Sequence, residues 1–307
     1  MRRIRTVGWP MAFALIASAI AGCDPGESTP ELIWGVHGTR AGWLQKPRVA
    51  AFDGEDQLYI ADLTDRIQVF DRDGNYLRHW TMPALNVDGP SGLTIDAQGR
   101  VLIADTHFYR VMIYSREGDL LQQIGDGIQG TEPGRFGYPT DVVCDNAGNF
   151  YVSEYGENDR IQVFSPEGRW LRQWGGHGDE PGQFLRPRAL AIDEAERLYV
   201  ADSCNHRIQV FDLQGKLLDC WGVQGDAPGE LSYPFDVALG PDHTLYVAEY
   251  GNQRVQKFSR DGKPLGTWGR PGRGPGQLSQ PWSLGIDSRG AVSVIDSLNH
   301  RVQRFRL

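Results

Sequence analysis

An all-β fold, a six-bladed β-propeller of four-stranded antiparallel blades, is what this sequence predicts, on three observations. One phrase recurs six times; the apolar runs inside each copy have strand length and are separated by turn residues; and the last copy lacks its final strand while the N-terminal region holds a spare one. The copies begin at Pro47, Pro90, Pro139, Pro187, Pro234 and Pro281, at spacings of 43, 49, 48, 47 and 47 residues, within the period of propellers and other repeat arrays.

The fourth copy, PRALAIDEAERLYVADSCNHRIQVFDLQGKLLDCWG, shows the elements in order. Ala189 to Ile192, Leu198 to Ala201, Arg207 to Phe211 and Lys216 to Trp221 are apolar or β-branched runs bounded by acidic or glycine turns, and none keeps a 3.6-residue period over three turns. Four such strands, six times over, is the propeller pattern. The sixth copy ends at RVQRFRL, after its third strand. Trp174, Trp221 and Trp268 each precede the next proline by 13 residues, and Trp34 precedes Pro47 by the same 13. The N-terminal segment therefore supplies the outer strand of the last blade and closes the ring, removing a sheet edge that would invite association.

The chain divides into a signal segment (1–22), a short polar tether (23–30) and one propeller domain (31–307), with no linker inside the repeat array. Arg2, Arg3 and Arg5 precede an apolar run from Met11 to Ile20, the layout of a secretory signal and too short to span a bilayer. Ile20-Ala21-Gly22-Cys23 resembles a bacterial lipobox. That resemblance implies cleavage before a lipid-modified Cys23 and a domain held on the exported side of a membrane, periplasmic where there are two. Cleavage removes three arginines and no acids, so the net charge moves from −8 to −11, which opposes non-specific nucleic-acid binding. Cys144, Cys204 and Cys220 remain, an odd number without CxxC spacing, and read as packing residues, with a Cys204–Cys220 bridge as the alternative.

An acid followed closely by arginine recurs in all six copies: Asp62 and Arg66, Asp105 and Arg110, Glu154 and Arg160, Asp202 and Arg207, Glu249 and Arg254, Asp296 and Arg301. An active site is needed once, so a feature repeated around a ring reads as an ion pair that pins the loop between second and third strands. Likewise Gly74, Gly118, Gly168, Gly215 and Gly262 read as hairpin turns, and Trp34, Trp80, Trp174, Trp221 and Trp268 as packing between blades.

YVADSCNHRIQVFDLQG, YVAEYGNQRVQKFSRDG and YVSEYGENDRIQVFSPEG, followed by WGGHGDEPGQFLRP, resemble NHL repeats, and the resemblance covers Trp34 to Leu307. It implies a six-bladed propeller, in agreement with the count above. It leaves function open, because the fold serves as binding platform, sensor domain and, in related propellers, enzyme.

Function is expected where the copies differ. Residues entering the inner strand and those in the loop between second and third strands share one face around the central channel. Arg48, Thr140, Asp141, Tyr155, Arg188, Phe235, Asp236, Tyr250 and Trp282 form the candidate ligand-binding mouth. Arginine with aromatic surface is what binding sites favour, and the mixed charges suit an envelope protein, a peptide or a small zwitterionic ligand. The enzymatic alternative resembles the peptidyl-hydroxyglycine amidating lyase, which implies zinc or calcium. Zinc needs three convergent ligands, yet the positions after each proline hold no histidine. Of His37, His79, His107, His177, His206, His243 and His300, only His107, His206 and His300 come within reach of the mouth. A cofactor-dependent redox propeller is a second alternative. No cofactor and no catalytic residue is expected on the main reading.

Overall fold

The computed structural model describes residues 29–83 and 89–307. The signal segment, Cys23 and most of the tether lie outside the described residues. Six four-stranded antiparallel sheets form the blades of a propeller. The fourth blade comprises Pro187–Ile192, Arg197–Asp202, Arg207–Asp212 and Leu217–Trp221, within two residues of the sequence expectation at every end. Its two middle strands are buried nearly throughout, which is why they read as continuous apolar runs rather than alternating ones.

The ring closes as expected. Leu32–Trp34 pairs antiparallel with Arg301–Phe305, Leu32 opposite Arg304 and Trp34 opposite Val302. The outer-strand tryptophans then pack across to the following blade. Trp34 meets Phe70 at 4.6 Å between ring centroids, Trp221 meets Phe258 at 4.8 Å, and Trp268 stacks on Phe305 at 3.9 Å. Trp34, Trp80, Trp174 and Trp221 each lie over a hairpin glycine, at Gly74, Gly118, Gly215 and Gly262 respectively. At Gly262 φ is +76°, and a Cβ there would sit 2.5 Å from Trp221 Cγ, so the turn geometry and the tryptophan seat together exclude a side chain.

The acid–arginine pairs reach beyond the loop assigned to them from sequence: in five blades they latch the connection arriving from the previous blade. In the fourth blade Arg207 Nε donates to Asp202 at 2.8 Å, and its other nitrogens donate to the carbonyls of Asp179, Glu180 and Gln183. Asp202 accepts the Leu185 N–H. Gln209 completes the latch, donating to Gln183 O and accepting the Gly182 N–H. Arg66, Arg160, Arg254 and Arg301 do the same for their own connections, with Gln68, Gln162, Gln256 and Gln303. This satisfies backbone groups that a loop would otherwise present unpaired. The second blade departs: Met112 stands where the others have glutamine, and Arg110 pairs with Asp105 at 2.8 Å while its buried Nη2 has no hydrogen-bond partner among the described residues.

Candidate functional site

All six inner strands enter the ring in the same sense, so the residues following each proline gather at one end of the central shaft. A cavity of about 350 Å³ occupies that shaft, and Arg188, Asp141, Asp236, Phe235 and Trp282 are among the side chains lining it. Arg188 is 4% exposed. Its guanidinium lies 4.5 Å from the Phe235 ring centroid and 5.2 Å from that of Trp282. Its Nε has no hydrogen-bond partner. Burial, with the Arg186 charge second, pulls its pKa down to about 10. Arg48 covers the Trp282 ring at 4.6 Å. Phe235 stacks on Tyr250 at 4.4 Å and meets Trp282 edge-on at 5.3 Å. The result is a wall of alternating guanidinium and aromatic surface, each contact within cation–π or ring-stacking range.

Tyr155 stands on a separate arc, stacked on Tyr138 at 5.0 Å and covered by Arg186 at 4.6 Å. Tyr109 continues it, 5.6 Å from Tyr138. Sequence reasoning looked after each proline and so missed Arg186 and Tyr138, the residues immediately before Pro187 and Pro139. The signal was there: the residues before the prolines include Lys46, Tyr138, Arg186, Tyr233 and Gln280, all large. Of these, Lys46, Arg186, Tyr233 and Gln280 adopt a left-handed backbone, with φ between 45° and 56°.

Thr140 is a correction. It is wholly buried, and its hydroxyl donates to Pro187 O at 2.7 Å, so it ties the third blade to the fourth instead of facing the mouth. Asp141 and Asp236 both line the cavity and join blades. Asp141 accepts the N–H of Val142 and of Leu190; Asp236 accepts the N–H of Val237 and of Leu284. Burial raises both pKa values, that of Asp236 to about 6 and that of Asp141 well above its ordinary value, with the Asp236 charge as the second cause at Asp141. The cysteines also differ from expectation. Cys144 is half-buried, but Cys204 and Cys220 are exposed free thiols, neither packed nor bridged.

Four of the histidines have partners of their own. His206 Nδ1 accepts the Tyr233 N–H at 3.1 Å, and His300 Nδ1 accepts the Lys46 N–H at 3.0 Å while the ring stacks on His37 at 3.9 Å. His177 pairs with Asp159 and His243 with Glu194. Among the described residues no three His, Cys, Asp or Glu side chains are grouped to hold a metal ion. Nor, among them, is any helix long and apolar enough to cross a membrane.

The NHL repeat model matches residues 184–211 and 231–258, within the fourth and fifth blades and the loops that lead into them. The chain is a six-bladed β-propeller in which these two stretches are NHL repeats. It is similar to peptidylglycine alpha-amidating monooxygenase of Rattus norvegicus, 38% identical over 126 residues, covering 38% of this chain and 13% of the rat protein. It is also similar to NHL repeat-containing protein 3 of Mus musculus, 33% identical over 165 residues, covering 48% of this chain and 46% of the mouse protein. The chain thus spans less than half the length of either relative. Among solved structures a streptogramin B lyase superposes with a TM-score of 0.64 at 13% identity, covering 91% of this chain and 99% of that one. At that identity the likeness concerns the fold.

Proposed function

We propose that this propeller is an exported, membrane-anchored, non-enzymatic binding module, and that its ligand or partner segment enters the channel mouth between the Arg48–Trp282–Arg188 wall and the Tyr155 arc. The observation that carries this reading is Arg188: a buried guanidinium, its Nε unpartnered, beside a cavity and clasped by two aromatic rings. A buried donor left unpaired costs about 1–3 kcal/mol, and an incoming acceptor recovers that cost. The partner is an envelope protein, a peptide or a small zwitterion. No cofactor takes part. The test is the double variant Arg48→Glu, Arg188→Glu, with circular dichroism to establish that the fold is retained. A partner from envelope extract that binds the folded variant as well as it binds the wild type refutes this surface.

A second reading, a metal-dependent peptidyl-hydroxyglycine lyase, is favoured by the 38% identity to the amidating monooxygenase, while the arrangement of histidines supports it poorly. Release of a peptide amide from a hydroxyglycine-ended peptide by the purified protein would establish that reading and overturn the non-enzymatic one.

A further inference from the structure

The layer directly below Arg188 narrows the ligand class. Asp141 and Asp236 are the next residues inward on their strands after Thr140 and Phe235, and both line the same cavity as Arg188. Each carboxylate accepts two backbone N–H groups, one from its own strand and one from the following blade. A carboxylate offers about four lone-pair sites, so both retain acceptor capacity.

An anion alone suits this shaft poorly. Arg188 would attract it, but the two carboxylates one step deeper would repel it. A cation alone meets the converse difficulty at Arg48, Arg186 and Arg188. A ligand carrying both charges a few bonds apart meets neither.

Resting on the mouth as the binding surface, we propose that the shaft holds the zwitterionic head of a free α-amino acid. The ligand's carboxylate accepts from Arg188, its ammonium donates to Asp141 and Asp236, and its side chain lies against Phe235, Tyr250 and Trp282. The aromatic wall then selects an apolar or aromatic side chain. The raised carboxyl pKa values agree with this arrangement, because burial at both groups, with the Asp236 charge added at Asp141, disfavours the ionised forms that an ammonium placed between them favours. A peptide N-terminus would bring the ammonium without the adjacent carboxylate, and a C-terminus the reverse.

The test is isothermal titration of the full chain with L-phenylalanine, N-acetyl-L-phenylalanine and L-phenylalaninamide. Each derivative deletes one charged contact, and a hydrogen bond to a charged group converts to a loss of roughly tenfold or more. The expected result is saturable binding of the free amino acid, with both derivatives at least tenfold weaker. Equal affinity for the acetylated form removes the ammonium seat, equal affinity for the amide removes the carboxylate seat, and absence of heat with L-phenylalanine overturns the inference outright. Because the comparison varies the ligand, it stands even if Asp236→Asn, the natural companion variant, fails to fold. If the amino acid fails here while Arg48→Glu, Arg188→Glu still abolishes partner binding, the mouth survives and only this assignment falls.

Discussion

Replacing Arg160 by methionine isolates what one loop latch contributes. Glu154 and Arg160 form the most enclosed of the six pairs, their side chains 1% and 4% exposed. Arg160 Nε donates to Glu154 at 2.5 Å, and its Nη atoms donate to the carbonyls of Thr131, Glu132 and Arg135 and to Gln173 Oε1. Methionine keeps much of the apolar stem and removes all five bonds. Glu154 retains the Gly137 N–H and the Gln162 amide, but its charge loses its counter-ion. Burial already raises its pKa despite Arg160, and loss of the guanidinium raises it further. Breaking one side of a buried pair costs about 3–5 kcal/mol. The expected loss is therefore roughly 4 kcal/mol at neutral pH and smaller towards acid pH, where the carboxyl becomes neutral. The second blade is the internal control. Arg110 has no such carbonyls described around it and its pair is more open, 16% and 10% exposed, so Arg110→Met is expected to cost no more than about 2 kcal/mol. Urea midpoints at constant m-value measure both. A loss under about 1 kcal/mol for Arg160→Met, or equal losses at the two sites, would refute the latch.

Three further outcomes are expected. A carboxyl whose pKa is raised by folding stabilises the fold fully below its unfolded value and loses that contribution as pH rises through the folded one. Asp236, moved from 3.8 to about 6, therefore removes roughly 3 kcal/mol of stability between pH 4 and 7 at 1.36 kcal/mol per unit. A pH series of denaturation midpoints in which Asp236→Asn does not flatten this decline contradicts the assignment. Gly262→Ala must hold a left-handed backbone and displace Trp221, and roughly 2–4 kcal/mol is expected from strain and overpacking together; the check is its midpoint against that of Gly54→Ala, where a Cβ meets nothing. Deleting residues 1–34 leaves the Val302–Arg304 edge without its partner, and light scattering should report association that the intact chain does not show.

Much of the fold was legible because a propeller repeats its own bookkeeping along the chain. The period gave the blade count, the missing last strand with its spare copy at Trp34 gave the closure, and glycine spacing gave the hairpins. The acid–arginine register was visible too, but its purpose was only half visible. The partners of Arg207 are main-chain carbonyls 24 to 28 residues earlier, and carbonyls carry no sequence signature. The glutamine two residues after each arginine, missing only in the second blade, was the readable trace of that latch.

The candidate site was less legible, for a physical reason. The sequence by itself determined which residues stand at the entrance of each inner strand, because strand period and proline spacing place them there. Whether those residues meet depends on the rotation between blades and on backbone conformation, which only the tertiary structure decides. Asp141 and Asp236, 95 residues apart, come to share one shaft; Thr140, next to Asp141, turns into the blade interface; and Arg186, with φ of 56°, covers Tyr155. A period of two assigns neighbouring side chains to opposite faces, but the register shifts between Pro139 and Asp141 and between Pro234 and Asp236 break that period where the inner strands of the third and fifth blades begin, and the two carboxylates of the mouth stand on those breaks.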